Sequence, residues 1–512
     1  MGRHRSRNPR LFFLCSDAME TTTLTVDARF PIGRVDPRLF GGFLEHMGRA
    51  VYEGVYDPQS QHADAEGCRN DVLAALRALD MTVMRYPGGN FVSGYHWRDG
   101  VGPRAERPRV RELASQSIEP NEFGTDEYLA LCRNMSWTPM LAVNLGTGTP
   151  EEARHWVEYC NSPTGTQYAD LRAANGHADP HGVKLWCLGN EMDGPWQLGH
   201  VPAEHYAIRA QQAAKMMKDT DRTIETVACG SSAIFMPTYA EWDRQVLEHL
   251  GDAADYLSLH RYVDNRADDT PEFLAVGRSI DRQIEDIDAI CRGVQARRKS
   301  KERAWLCFDE WNVWYKNMQM NGEGKLAPHL IEEIYNLEDA LVVAGFLNSF
   351  VRHANVVRIA NLAQVVNVIA PLVTHGDELL VQSIYHAFRM FSTRRDGVSL
   401  RVAQQGPSYR SKWHGSVPTV DASAIQGDGL LHVFAVNRST TEGAPLRVAR
   451  LDRPIHAVAS AELLTGSDAK AANSFERPDF VTPRPFGDVA VRDGAASFEL
   501  PPLSLLALSL RC

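Results

Sequence analysis

Short apolar runs alternate with longer stretches of helical spacing through the first three-quarters of the chain, which predicts a repeating strand–helix unit. Eight runs read as strands: Leu39–Glu45, Thr82–Tyr86, Met140–Asn144, Val183–Asn190, Thr226–Ser231, Tyr256–His260, Ala304–Glu310 and Asn355–Asn361. Between them, Asp71–Leu79, Thr125–Asn134, Pro150–Tyr159, Ala203–Lys218, Ile280–Gln295 and Ile331–Phe350 place apolar residues at roughly helical intervals. Eight such strands suit an α/β fold of the (β/α)8 TIM-barrel type with insertions. A doubly wound sheet is the alternative, but the glycine-rich phosphate loop expected after its first strand is absent.

After about residue 395 the pattern changes. Gly429–Asn437, Leu446–Leu451, Val489–Val491 and Ala496–Ser509 are short and separated by Gly, Pro, Asp and Ser. They predict a C-terminal antiparallel β-sandwich domain. The organisation expected is a catalytic barrel over residues 36–392 and a sandwich over 396–512, joined by strand-like residues from 21–35. Residues 1–20 read as a disordered leader, with Met19 a candidate true start.

Composition narrows the partners. At 512 residues the chain exceeds what one core usually holds. Its net charge of −10, from 64 acidic against 54 basic residues, disfavours nucleic acid and anionic membranes and suits a neutral partner such as a sugar. Nine cysteines are scattered with no C-x-x-C pair, which points to a reducing, cytoplasmic compartment. The apolar stretch Leu11–Cys15 is too short for a signal peptide, and no run approaches the ~20 apolar residues of a membrane span.

Active sites of such barrels sit at the C-terminal ends of the strands, so polar residues closing an apolar run are the ones to weigh. Glu45–His46, Arg85, Asn144, Asn190–Glu191, His260 with Tyr262, Asp309–Glu310, and Asn361 with Gln364 all close runs. Any one of them alone reads better as a loop or capping residue; their accumulation at one barrel mouth points to a site. Two carboxylates, closing the fourth and seventh runs, are what glycosidic cleavage needs: one to protonate the leaving oxygen, one to attack the anomeric carbon or activate water. Trp186, Trp196, Trp311 and Trp314 lie close to them in sequence and serve equally well as sugar-stacking faces or as core. There is no H-E-x-x-H, no G-x-S-x-G and no G-x-x-x-x-G-K-[ST]. His260 has no second histidine at metal-ligand spacing, and Cys187 and Cys307 read as small buried hydrophobes.

The blocks GFLEHMGRAVYEGVYDP (42–58), MRYPGGNFVSGYHWRDGVGP (84–103), EPNEFGTDEY (119–128), LGNEMDGPWQLGH (188–200), SLHRYV (258–263), FDEWNVWY (308–315) and ANLAQVVNVIAPLVT (360–374) resemble, in order, the family 51 α-L-arabinofuranosidases. The resemblance implies a barrel plus sandwich, retention of anomeric configuration, neither metal nor organic cofactor, and a homo-oligomer, suspected to be a hexamer. It makes Glu191 the acid/base and Glu310 the nucleophile. It assigns Asn190 to the sugar 2-hydroxyl, Glu45, Asn90 and Gln364 to the remaining hydroxyls, and Tyr262 to a hydrogen bond on Glu310. Arg85 and His260 become supports. One departure stands out: Ser115 occupies the place of a tryptophan that these enzymes usually carry near the sugar, which leaves the furanose open. The activity expected is exo-acting removal of terminal α-L-arabinofuranose from oligo- or polysaccharides. A β-D-galactofuranosidase or D-arabinofuranosidase is the alternative, and an inactive carbohydrate-binding protein the distant one.

Overall fold

The computed structural model describes residues 20–512; the leader expected over residues 1–20 falls almost wholly outside them. Eight strands close into a barrel: β1 (Gly41–Phe43), β2 (Val83–Tyr86), β3 (Thr138–Ala142), β4 (Leu185–Leu188), β5 (Glu225–Ala228), β6 (Tyr256–Val263), β7 (Trp305–Val313) and β8 (Val357–Ala363). Neighbours around the barrel are consecutive in sequence and every pairing is parallel. Inward side chains, among them Val83, Met140, Leu185, Cys187, Val227, Cys307 and Ile359, plug the interior. The barrel is therefore a packed core with chemistry confined to its mouth.

Six helices match the spacing read from sequence to within a few residues at most ends, and some of their starts carry side-chain caps. Thr149 accepts from Glu152 N ahead of Pro150–Asn161. The last of the six starts at Leu337 rather than Ile331. Asn336 and Asp339 cap that start reciprocally, and the residues before it are held as a loop by the Glu333 carboxylate, which accepts from the backbone N–H groups of Tyr315, Lys316 and Asn317. Helices Gln167–Ala174, Glu241–Leu250, Thr270–Leu274 and Ser383–Ser392 had not been anticipated.

The C-terminal strands form one ten-stranded sheet around a second apolar core. Strand Thr22–Arg34 inserts between Val398–Gln405 and Ala444–Arg450. Its pairing with the latter is parallel, so the sheet is mostly antiparallel rather than wholly so. The run Ala496–Ser509 divides into Ala495–Leu500 and Ser504–Arg511, broken at Pro501–Leu503. Strands Leu430–Asn437 and Ser504–Arg511 are buried on both faces. Leu431, Val433, Leu506 and Leu508 enter the sheet's own core, while Phe434, Val436, Leu505 and Ala507 pack towards the barrel. Phe391 stacks on Phe434 with centroids 4.0 Å apart. Arg352 crosses the same junction, pairing with Asp281 at 3.1 Å and Asp421 at 2.9 Å.

Candidate active site

Strand β7 carries the centre of the site, and an irregularity in it explains how. Cys307 pairs with Ser258 and Glu310 with His260, so three steps along β7 match two along β6. The same shift separates Phe308 from Trp311 against β8. In a regular strand, adjacent side chains point to opposite faces. The extra residue of a bulge removes that restriction. Asp309 and Glu310 therefore both turn inward, between Phe308 and Trp311, which pack outward against Phe350.

Arg85, at the end of β2 and fully buried, ties the cluster together. Its Nη1 donates to Glu310 Oε1 at 2.7 Å, its Nη2 to Asn190 Oδ1 at 2.7 Å, and its Nε lies 3.2 Å from Asp309 Oδ2. The Tyr262 hydroxyl donates to the other Glu310 oxygen at 2.8 Å. His260 Nδ1 sits between the two glutamates, 2.8 Å from Glu191 Oε1 and 3.5 Å from Glu310 Oε2. Its Nε2 lies 3.4 Å from Asp309 Oδ1, which also accepts from Ser258 at 2.5 Å. Burial works against a charged imidazole here, but Glu310 and Asp309 outweigh it and raise His260 well above the usual histidine range. Burial likewise acts to raise Asp309, but Arg85 and His260 overcome it and hold the carboxyl low. For Glu310, burial prevails: its carboxyl is raised although His260 and Arg85 pull the other way.

Glu191 follows β4 on a sharp turn, with Gly189 at φ +93° and Glu191 itself at φ +42°. A glutamate in that region is strained, and such strain concentrates where geometry serves function. The turn lifts the carboxylate toward the mouth, where the Trp196 indole N–H donates to Oε2 at 2.5 Å. Glu191 is partly exposed and Glu310 buried. Single ligand atoms of Glu191, His260 and Glu310 lie within 4.8 Å of one another. That is close enough to hold a cation, but the His260 imidazole already stands there as the positive charge. One oxygen of Glu191 and one of Glu310 thus lie within 4.8 Å of each other.

Glu45, ending β1, accepts from Phe91 N at 3.1 Å and from Gln364 Nε2 at 3.2 Å, while its own N–H donates to Gln364 Oε1 at 2.9 Å. Burial first, and then the Glu310 charge, raise its carboxyl to about 8. Gly89 threads between the acids: a methyl group there would meet both Glu45 oxygens at 3.0 Å and Glu310 Oε1 at 3.2 Å. Asn90 opens the following short helix, half-buried beside them. Asn190 accepts from Arg85 and donates to Gln197 Oε1 at 3.2 Å, and Gln197 donates on to Ser93 at 2.6 Å.

Two family profiles match the chain: the α-L-arabinofuranosidase 1 domain over residues 75–275 and the α-L-arabinofuranosidase C-terminal domain over 309–504. An intracellular exo-α-(1→5)-L-arabinofuranosidase of Halalkalibacterium halodurans is 42% identical over 490 residues, covering 94% of this chain and 98% of that protein. An exo-α-(1→6)-L-arabinofuranosidase of Bifidobacterium longum is 39% identical, covering 96% and 98%. The solved family 51 α-L-arabinofuranosidase of Bifidobacterium longum superposes with a TM-score of 0.93 at 35% identity, covering 96% of this chain and all of that one. The chain belongs to the family 51 α-L-arabinofuranosidases.

Within this family's frame, nine of the ten residues singled out from sequence lie on the barrel-mouth segments just described, and Ser115 lies on a separate turn whose Glu112 is near enough for its charge to act on Glu45. Its hydroxyl donates to Glu112 at 2.6 Å and meets Ser117 at 2.7 Å, and its carbonyl accepts from Gly322 N at 2.6 Å. A buried carboxylate at Glu112 needs those donors, so Ser115 is committed to its own turn. Of the four tryptophans, Trp186 and Trp311 are core, Trp314 packs edge-on against Tyr262 at 5.5 Å, and Trp196 touches the acid. Sequence reasoning missed Ser258, Gly89 and Gln197 as parts of the site, and it named Asp309 only as a strand end without a role, since regular alternation would turn it away from Glu310 and only the bulge brings it inward.

Proposed function

We propose that this enzyme hydrolyses terminal, non-reducing α-L-arabinofuranosides by double displacement, with Glu310 as nucleophile and Glu191 as acid/base. The observation that carries the proposal is the pair of carboxylates bridged by His260, one buried and held by Arg85 and Tyr262, the other lifted to the mouth. The sugar enters with its anomeric carbon facing Glu310. Glu191 protonates the glycosidic oxygen as Glu310 attacks, giving a covalent arabinosyl-enzyme; Glu191 then takes a proton from water, which displaces Glu310. Two cations, Arg85 and His260, face Asp309 and Glu310, so the charge on the nucleophile is compensated before reaction. Glu45, raised to about 8, keeps its proton at neutral pH and can donate to a sugar oxygen while Asn90, Gln364 and Asn190 take the remaining hydroxyls. In Asn190 one amide hydrogen remains for the 2-hydroxyl once Arg85 and Gln197 are served.

α-(1→5)-linked arabinofuranosyl chains are the substrate class, supported by the names of several relatives, including that from Halalkalibacterium halodurans. We assign residues 36–392 and 396–512, the latter with 21–35, as separate domains. The enzyme acts inside the cell as a homo-oligomer without cofactor. Relatives named intracellular and the burial of seven of the eight described cysteines support a reducing compartment. No described helix is long and apolar enough to cross a membrane. Turnover of nitrophenyl α-L-arabinofuranoside, with NMR of the first-formed sugar, tests the proposal. A product of retained configuration is expected; an inverted one, or preference for a galactofuranoside, overturns it.

A further inference from the structure

The loop after β5 holds an aromatic ring in solvent beside the catalytic mouth. Phe235 is 77% exposed, and among the described large apolar side chains only Trp413, on the hairpin of residues 408–418, is more so. The loop is not loose. Ser231 donates through its N–H and hydroxyl to Asp243 at 2.8 and 2.6 Å. The Ser232 N–H lies 3.2 and 3.1 Å from the two oxygens of Asp193. Met236 N bonds Ala233 O at 3.2 Å, and the Met236 side chain is buried under the turn. A turn tied to both neighbouring segments thus presents the Phe235 ring outward, with its face free to meet a ligand.

Its position in the fold suggests which ligand. The Asp193 clamp joins this loop to the one that carries Glu191 and Trp196, and strands β4 and β5 are neighbours in the barrel. Glu191 is the outward-facing carboxylate, so the leaving group lies on this side of the pocket. Trp196, 45% exposed with its N–H on Glu191, offers its ring to the first leaving-group sugar. Phe235 is three residues past the clamped Ser232 on the neighbouring loop. Aromatic faces cover the apolar C–H faces of sugars and require no charge.

Resting on the acid/base role given to Glu191, we propose that Phe235 binds the second leaving-group sugar of an arabinofuranosyl chain. The enzyme then reads chain length as well as the terminal residue, favouring trisaccharides over disaccharides.

The test compares kcat/KM on α-(1→5)-arabinofuranotriose and the matching biose. Wild type should favour the triose, Phe235→Ala should lower the triose-to-biose ratio about tenfold, and Phe235→Tyr should restore it. An unchanged ratio in Phe235→Ala overturns the proposal, as does a wild type indifferent to chain length. So does a variant that loses subunit association while keeping the ratio, since Phe235 would then be covered by a second copy. Failure of wild type to cleave either sugar would instead reject the assignment of substrate and acid/base.

Discussion

Tyr262→Phe isolates one hydrogen bond. The tyrosine hydroxyl donates to Glu310 Oε2 at 2.8 Å, and the ring packs edge-on against Trp314, a contact phenylalanine preserves. Burial and the Glu310 charge raise the phenol well above its usual range, so it remains a donor throughout any usable pH range. A hydrogen bond to a charged acceptor contributes about 1.5–3 kcal/mol. At 1.36 kcal/mol per pKa unit, losing it should raise the Glu310 carboxyl by ~1–2 units. The sign follows: Glu310 must be ionised to attack, so the acidic limb of the kcat/KM profile, where activity is lost as pH falls, should move upward by that amount. At pH 7 the rate should fall roughly 10–100-fold if the bond persists into the transition state. The assay is a pH series on nitrophenyl arabinofuranoside, with Tm as a check on folding. An acidic limb that stays in place, with less than a threefold loss of rate, would refute the reasoning.

Glu310→Ala should abolish turnover of every substrate, whereas Glu191→Ala should retain most on nitrophenyl leaving groups and recover with azide, yielding an arabinosyl azide of retained configuration. Gly89→Ala should lower kcat/KM on the order of 10²-fold with little change in Tm, because its methyl would displace Glu45 and Glu310 from their positions; unaltered kinetics would show that the acids tolerate the shift. Ser115→Ala should reduce stability by ~1–3 kcal/mol in urea unfolding by removing a donor from buried Glu112. It should leave the arabinofuranoside-to-galactofuranoside ratio within about twofold, since one such group seldom discriminates by more than ~1–3 kcal/mol even when it does touch the sugar. Arg352→Met should destabilise by about 1–3 kcal/mol, because it removes the guanidinium shared by Asp281 and Asp421 while His353 stays 3.3 Å from the first and Arg438 3.2 Å from the second; an unchanged midpoint in urea unfolding would mean that those partners compensate fully.

The barrel was legible because each strand is a short apolar run closed by a polar residue, and its inward and outward faces are both buried. Helix positions followed from apolar spacing. Where helical patterns were missed, Gln167–Ala174 and Thr270–Leu274 are too short to establish a period, whereas Glu241–Leu250 does set Trp242, Val246, Leu247 and Leu250 on one face at helical spacing, a signal the sequence offered. In the sheet, Val398–Gln405 has its outer half interleaved with exposed polar residues, so its apolar run is too short to stand out. The parallel pairing of Thr22–Arg34 depends on a partner more than 400 residues away, which no local pattern encodes.

That Glu191 and Glu310 close strands at one mouth was legible from strand ends and family motifs; how their surroundings differ was not. That difference comes from backbone irregularities on opposite sides of the mouth. On β7 the bulge lets Asp309 and Glu310 face inward together, so Asp309 can engage Arg85 and His260 behind Glu310. With regular alternation one acid would enter the outer core, and the two cations would lose a counter-charge. After β4 a positive-φ turn does the reverse, lifting Glu191 out of the plug toward solvent and the indole of Trp196. One carboxylate is thus held among fixed donors where attack requires a defined position. The other stands where it can exchange protons with a leaving group and with water. Chemically identical side chains acquire opposite tasks through their backbones, and His260, bonded to Glu191 and close to Glu310, is placed to respond to a proton leaving either.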